Sequence, residues 1–331
     1  MDPNFTLLLV VVGFGLAFEF VNGFHDAANA VATIIATRVL SPLGAVLMAG
    51  VLNFVGAVTG LAVAATVGAG LVEPTAVTLT TVACGLLAAI LWDLTTWFYG
   101  LPTSSSHALL FGVLGAGVAT SGFGAVVLSG VQKTGFGIIY SPVIGFLFAA
   151  VIIIAIYWIA YHRNPSRVRR NFSRLQLLSS AYMAYSHGGN DGQKTMGIIA
   201  LALFTYGTYE TFYVPLWVII ACALAMGAGT AAGGFRIVKT MGFKIVKLDS
   251  AHGFAAETAA ATVIEVATRF GIPISTTHAI NGAILGVGTV KNRRAVGWGV
   301  ARSIVTAWVL TLPACFVLGW ALLKVANVVG L

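Results

Sequence analysis

Leu101-Pro102-Thr103-Ser104-Ser105-Ser106-His107-Ala108 returns, little altered, as Ile272-Pro273-Ile274-Ser275-Thr276-Thr277-His278-Ala279, 171 residues further along. Both copies run on into glycine-rich tails, Gly112-Val113-Leu114-Gly115-Ala116-Gly117 and Gly282-Ala283-Ile284-Leu285-Gly286-Val287-Gly288. A second pair precedes them in the same order: Gly23-Phe24-His25-Asp26-Ala27 matches Gly188-Gly189-Asn190-Asp191-Gly192 at an offset of 165. Two paired motifs at nearly equal spacing divide the chain into two related halves.

The surroundings of these motifs are apolar. Of 331 residues 58% are hydrophobic and 8% charged, with a mean hydropathy of +0.95. A soluble domain carries roughly a quarter charged residues, so water is not the main solvent here. Charge-free runs cover 39–72, 94–132, 134–162, 211–235, 270–290 and 303–323. Each reaches or exceeds the roughly 20 residues that cross a bilayer as a helix, and the short alternating segments of a membrane barrel are not seen. An all-α polytopic membrane protein follows. The apolar run Phe5–Phe20 has no Lys or Arg before it, so it reads as a retained first span and not as a signal peptide. Cys84, Cys222 and Cys315 stand singly in apolar sequence, as small packing residues do.

The net charge of +8 comes from short basic stretches between apolar spans, around Arg163–Arg174, Arg236–Lys247 and Lys291–Arg302. That is the positive-inside pattern and excludes a nucleic-acid face. Placing these stretches in the cytoplasm puts the N-terminus outside. Crossings then fall at 5–37, 43–70, 76–99, 102–120, 138–161, 175–204, 213–232, 250–268, 273–290 and 299–322. With re-entrant or broken segments counted, 10–12 transmembrane or re-entrant helices are expected. The basic stretch 162–174 acts as a cytoplasmic linker between a half at 1–161 and a half at 175–331. Five segments per half is an odd number, so the second half enters inverted, as in inverted-repeat transporters.

The Pro-x-Ser-[Ser/Thr]-[Ser/Thr]-His motif reads as a helix start. Pro is tolerated at the first helical position, and the following hydroxyls lie beside unpaired N–H groups at the positive end of the helix dipole. Such an end binds an oxyanion without a full cation. Two copies facing each other near mid-membrane would hold a tetrahedral anion from both sides, through Ser104, Ser105, Ser106, Ser275, Thr276 and Thr277. Asp26 and Asp191 lie deep in apolar sequence, where a carboxylate costs roughly 2.5–3.5 kcal/mol on insertion scales. They are candidates for binding a coupling ion or proton, with Asn22, Asn29 and Asn190 supplying neutral oxygens. Two carboxylates repel an anion unless a cation intervenes, which is itself a means of coupling. Glu257 joins this set because it follows His252-Gly253 in a small-residue stretch. Gln193 and Lys194 have no basic counterpart in the first half, and Lys194 could neutralise Asp191 or touch the anion. The spacing of His and Cys gives no fixed metal site and no cofactor is called for. His107 and His278 are expected to orient neighbours by hydrogen bonding.

These residues resemble the inorganic phosphate transporter (PiT) family. Its repeated Gly-x-Asn-Asp-x-x-Asn-Ala element is similar to Gly23–Ala30 and to 188–195. Phe18–Ala30 and Ser186–Lys194 are especially similar to the family's bacterial low-affinity permeases. The resemblance implies import of inorganic phosphate with a cation, H⁺ or Na⁺, across the cytoplasmic membrane. It implies that Asp26 and Asp191 bind or sense the coupling ion, and that Ser104–Ser106 and Ser275–Thr277 contact phosphate. Phosphate complexed with a divalent metal is also a substrate of the bacterial branch. His25 stands where the family more often has Asn, Lys194 and Thr195 stand where the first half has Asn29 and Ala30, and no large soluble insertion separates the halves. The expected partners are phosphate, the coupling cation and membrane lipid, with a homo-oligomer left open. Another oxyanion, sulfate above all, fits the same hydroxyl and N–H chemistry. An intramembrane serine hydrolase built on Ser104–Ser106 and His107 fails, because adjacent helical residues diverge and no Gly-x-Ser-x-Gly elbow is present.

Overall fold

The computed structural model describes residues 3–330, so the outermost positions of the two expected halves, residues 1, 2 and 331, lie outside the described residues. The chain forms thirteen α-helices among those residues. In the first half they are α1 (Pro3–His25), α2 (Ala27–Ala36), α3 (Pro42–Ala57), α4 (Ala62–Gly70), α5 (Leu79–Tyr99), α6 (Ser105–Ser121) and α7 (Leu128–Ala160). The second half has α8 (Pro165–Tyr206), α9 (Leu216–Ala232), α10 (Phe235–Lys239), α11 (Ser250–Arg269), α12 (Thr276–Asn292) and α13 (Trp298–Val328). The only extended pairing among them is an isolated bridge, Val72 with Val126.

Length and apolarity single out four spans able to cross a membrane alone: α1 with α2, α5, α7 and α13. Two bent pairs make six, α3 with α4 at 75° and α9 continued by α10 at 55°. The helices left over, α6, α8, α11 and α12, carry three of the four repeated polar motifs, the fourth lying at the α1–α2 break, and supply most of the buried polar side chains. A polar helix survives in lipid only when apolar neighbours shield it, and here α7, α13 and the bent pairs do so.

The helix contacts come in matched pairs. Helix α3 packs on α8 while α9 packs on α1; α5 packs on α6 as α11 does on α12; α6 packs on α13 as α12 does on α7. Helix α8 runs antiparallel to the broken span α1–α2. Gly15 lies against Ile199, Glu19 bonds Thr195, Ser180 bonds the Ala30 carbonyl and Thr37 bonds Gln176, so one number rises as the other falls.

Local sequence explains the helix starts, with one difference from expectation. Pro102 and Pro273 are not the first helical residues. Each sits two residues ahead of an N-cap, Ser104 or Ser275, whose hydroxyl accepts from the N–H of His107 at 3.3 Å or of His278 at 3.1 Å. The residue before a proline is pushed out of the helical region, and the extended approach persists until a good capping residue arrives. Gly100 and Gly271, at φ 65° and 60°, end the preceding helices α5 and α11 in the left-handed conformation that glycine adopts cheaply. The basic stretch expected as a linker is helical from Pro165 onward, with Asn164 as its cap, so α8 reaches 42 residues.

Contacts between helices in lipid come from close packing, which small residues permit. A Cβ built on Gly115 of α6 would stand 2.0 Å from the Phe316 carbonyl oxygen of α13. Gly286, 171 residues on, would meet the Phe146 carbonyl of α7 at 2.2 Å. Gly115→Ala is therefore expected to force α6 and α13 apart at a cost of about 1–3 kcal/mol or more. Gly13→Ala, at a position with nothing within 4 Å, is expected to be neutral. Thermal unfolding of the purified variants in detergent checks the difference.

Candidate functional site

The polar motifs converge where the N-terminal ends of α6 and α12 meet. Their histidines touch there, His107 edge-on to His278 with ring centroids 4.6 Å apart, and His278 stacks on Trp308 at 3.7 Å. Each N-cap serine is spent on its own helix, which leaves the next two hydroxyls free to point across the contact.

Those hydroxyls bond the two aspartates. Asp26 occupies the break between α1 and α2, with φ −91° and ψ 2°, and its side chain makes no capping bond. Its Oδ2 accepts from Thr277 at 3.1 Å and its Oδ1 from Ser105 at 3.4 Å. Asp191 lies within the unbroken α8. Its Oδ1 accepts from Ser106 at 3.5 Å and its Oδ2 from Thr276 at 2.8 Å. The offsets of the sequence repeat turn one set into the other: Asp26 corresponds to Asp191, Ser105 to Thr276 and Ser106 to Thr277. Each aspartate thus takes one hydroxyl from each half-helix. Asn29 reaches α12 alone, donating to Thr276 at 3.3 Å and Thr277 at 3.0 Å, while its counterpart Lys194 bonds Ser106, the counterpart of Thr277, at 2.5 Å.

The halves differ at two points. His25 bonds Asp26 through Nδ1 at 2.7 Å and Thr96 through Nε2 at 3.1 Å. Its counterpart Asn190 instead turns its amide to Thr268 at 2.8 Å and the Ile272 carbonyl. Lys194 forms a 2.5 Å ion pair with Asp191.

Not every candidate meets the others. Gln193 accepts from the Val63 N–H at 2.9 Å and donates to the Gly189 carbonyl, so it ties the start of α4 to α8. Glu257 lies apart from the aspartates and takes three donors, Thr33, Gln176 and Ser179. The side-chain oxygens of Asn22, Asn29 and Asn190 are buried without a hydrogen-bond partner, as oxygens able to face a cation would be.

His187 and Glu19 carry more of the geometry than their sequence context suggested. Glu19 is buried and bonded by Thr195. The Nε2 of His187 lies 3.2 Å from Asp191 Oδ2, one helical turn along α8. A chain of bonds fixes its proton. The Gly23 carbonyl only accepts, so Thr230 donates to it and in turn accepts from Asn53 Nδ2. Asn53 Oδ1 therefore faces His187 Nδ1, which carries the proton. In the neutral ring the Nε2 lone pair then confronts a carboxylate, and a proton or cation between them is what makes the contact favourable. Donor atoms of Asp26, His187 and Asp191 all lie within 4.8 Å of one another, a grouping that could hold a metal ion. The signal for His187 was its i, i+4 spacing to Asp191, meaningful only once the segment is known to be helical.

The profile described as "Phosphate transporter family" matches residues 22–319. A Rhizobium meliloti protein described as "Probable low-affinity inorganic phosphate transporter" is 48% identical over 94% of this chain and 93% of its own length. A Bacillus subtilis protein of the same description is 42% identical over 96% and 97%. A solved structure titled "The sodium-dependent phosphate transporter" superposes with a TM-score of 0.91 at 25% identity, over 98% of this chain and 100% of that one. These are transporters and not enzymes, and Ser104, capping its own helix, is no hydrolase nucleophile. A multi-pass membrane protein with this site, matched across nearly its whole length, belongs to the phosphate transporter family.

Proposed function

We propose that the chain imports inorganic phosphate across the cytoplasmic membrane by symport with H⁺ or Na⁺, through alternating access between two inverted halves. The crossed bonds of Asp26 and Asp191 to the hydroxyls of α6 and α12 carry this reading. Inversion is supported by the antiparallel course of α8 against α1–α2 and by the exchanged helix contacts. The N-terminus would lie outside, with the basic ends of α8 and of the segments near Lys247 and Lys291 inside.

Coupling follows from the chemistry of a hydroxyl, which has one proton to give. Thr277 and Thr276 donate to carboxylates, so they cannot donate to phosphate at the same time. A cation or proton on the carboxylates weakens that claim and cancels the charge that repels the anion. The hydroxyls and the first-turn N–H groups of α6 and α12 then turn to phosphate oxygens. Loading the cation makes the anion site; releasing it dissolves the site. Phosphate bound to a divalent cation is a second form of cargo, favoured by the grouping of Asp26, His187 and Asp191.

Labelled phosphate uptake into proteoliposomes is expected under an imposed H⁺ or Na⁺ gradient, with weak competition from sulfate. No uptake under either gradient would sink the proposal. Removing a hydroxyl with Thr277→Val is expected to raise the KM for phosphate by about tenfold, the worth of one lost hydrogen bond near 1.4 kcal/mol. Asp26→Asn is expected to abolish the cation dependence and cut uptake by about 5- to 150-fold, the usual range for coupling between two sites. Chelating divalent cations separates the two forms of cargo, since only the complexed form is lost.

A further inference from the structure

We propose that Lys194 is a tethered cation that takes the place of one mobile coupling ion, so that a single free cation accompanies each phosphate. The inference rests on the symport proposed above and adds its stoichiometry.

The surroundings of Lys194 are those of a bound cation. Its side chain is 2% exposed, and its Nζ meets three oxygens from three parts of the fold. They are Asp191 Oδ1 at 2.5 Å on α8, Ser106 Oγ at 2.5 Å at the start of α6, and the Ile274 carbonyl at 2.7 Å on the approach to α12. An ammonium has three donors, and all three are used. A carboxylate, a hydroxyl and a carbonyl gathered at one point are also what a bare hard cation takes as ligands.

The first half lacks this charge. Asn29, 165 residues earlier, occupies the equivalent place and reaches the equivalent hydroxyl, Thr277, with a neutral amide. The carboxylates therefore differ in what they need. Asp191 carries its counter-charge on its own helix, while Asp26 has a histidine, a threonine and a serine around it and no permanent cation. Of the two site aspartates, Asp191 is answered within the protein and Asp26 is left for an ion from solution. A lysine on α8 cannot leave with the cargo. Its charge contributes to binding phosphate and does not enter the count of ions moved.

The number of cations carried per phosphate tests this directly. Proteoliposomes holding the protein are set at fixed pH with opposed phosphate and cation gradients, and the membrane voltage at which net phosphate flux reverses gives the stoichiometry. The wild type is expected to carry one cation and Lys194→Asn two. At low Na⁺ and low proton concentration the variant's uptake is expected to fall by about 10- to 100-fold and to recover as the cation is raised. A wild-type count of two or more overturns the proposal without any variant. So does an unchanged count in Lys194→Asn, or a loss of uptake in folded variant that no cation concentration restores, because a merely structural lysine behaves that way. Wild-type protein that moves no phosphate under any gradient removes the symport itself, a result distinct from a wrong count.

Discussion

A carboxylate in the middle of a membrane protein has to be bonded or balanced, and the crossed hydroxyl bonds of Asp26 and Asp191 set the rest of the fold. Each aspartate draws a hydroxyl from both half-helices. Helices α6 and α12 must therefore begin at one depth and point their N-terminal ends at one place, where His107 and His278 meet. Each of these helices has 17 residues and packs along a longer apolar partner, α13 or α7. The glycines at 115 and 286 are the steric consequence, since the short helices are held by backbone contact with those partners.

The duplicated motif was visible in the sequence because both copies answer the same local demand. A proline-directed approach, a capping serine and two hydroxyls are needed to start a helix that can donate across a gap. The spacing of the repeats also marked Asp26 and Asp191 as partners. Helix continuity was legible for α8, expected as one crossing at 175–204, but the break within the first span, expected as one crossing at 5–37, was not. Gly188-Gly189-Asn190 has the composition of a break, yet α8 runs through it, because close neighbours fill the space that glycine leaves, with Gly188 lying against the backbone of Asn53. His25-Asp26-Ala27-Ala28 looks locally helical and is where the first span breaks. In each case tertiary contact outweighed propensity, whose differences between residues are only about 1 kcal/mol or less.

Individual partners were legible only where the repeat supplied them. Glu257 and Gln193 stood in polar sequence like the site residues, but the direction each side chain takes depends on helix packing. Glu257 faces α2 and α8, and Gln193 faces the start of α4. His187 had the reverse fate. Its role depends on Asn53 and Thr230, two residues on other helices that decide which ring nitrogen keeps the proton.

The buried acids outside the site fix the frame within which the site can change. On one side of the break at Asp26, Glu19 of α1 is bonded by Thr195 of α8. On the other side, Glu257 of α11 gathers Thr33 of α2 together with Gln176 and Ser179 of α8. The broken span is thus fastened to α8 above and below the break, and losing Thr195 would leave the buried Glu19 carboxylate short of its donor from α8, at a cost of about 1–3 kcal/mol. The links at the break itself are different in kind. They run from single-proton hydroxyls to carboxylates that a cation can satisfy instead, so the proposed coupling would exchange partners there without leaving a charge unpaired. Helices α1, α2 and α8 are for that reason tied together on both sides of the break, and the proposed alternating access would act on the contacts that α6 and α12 make with them.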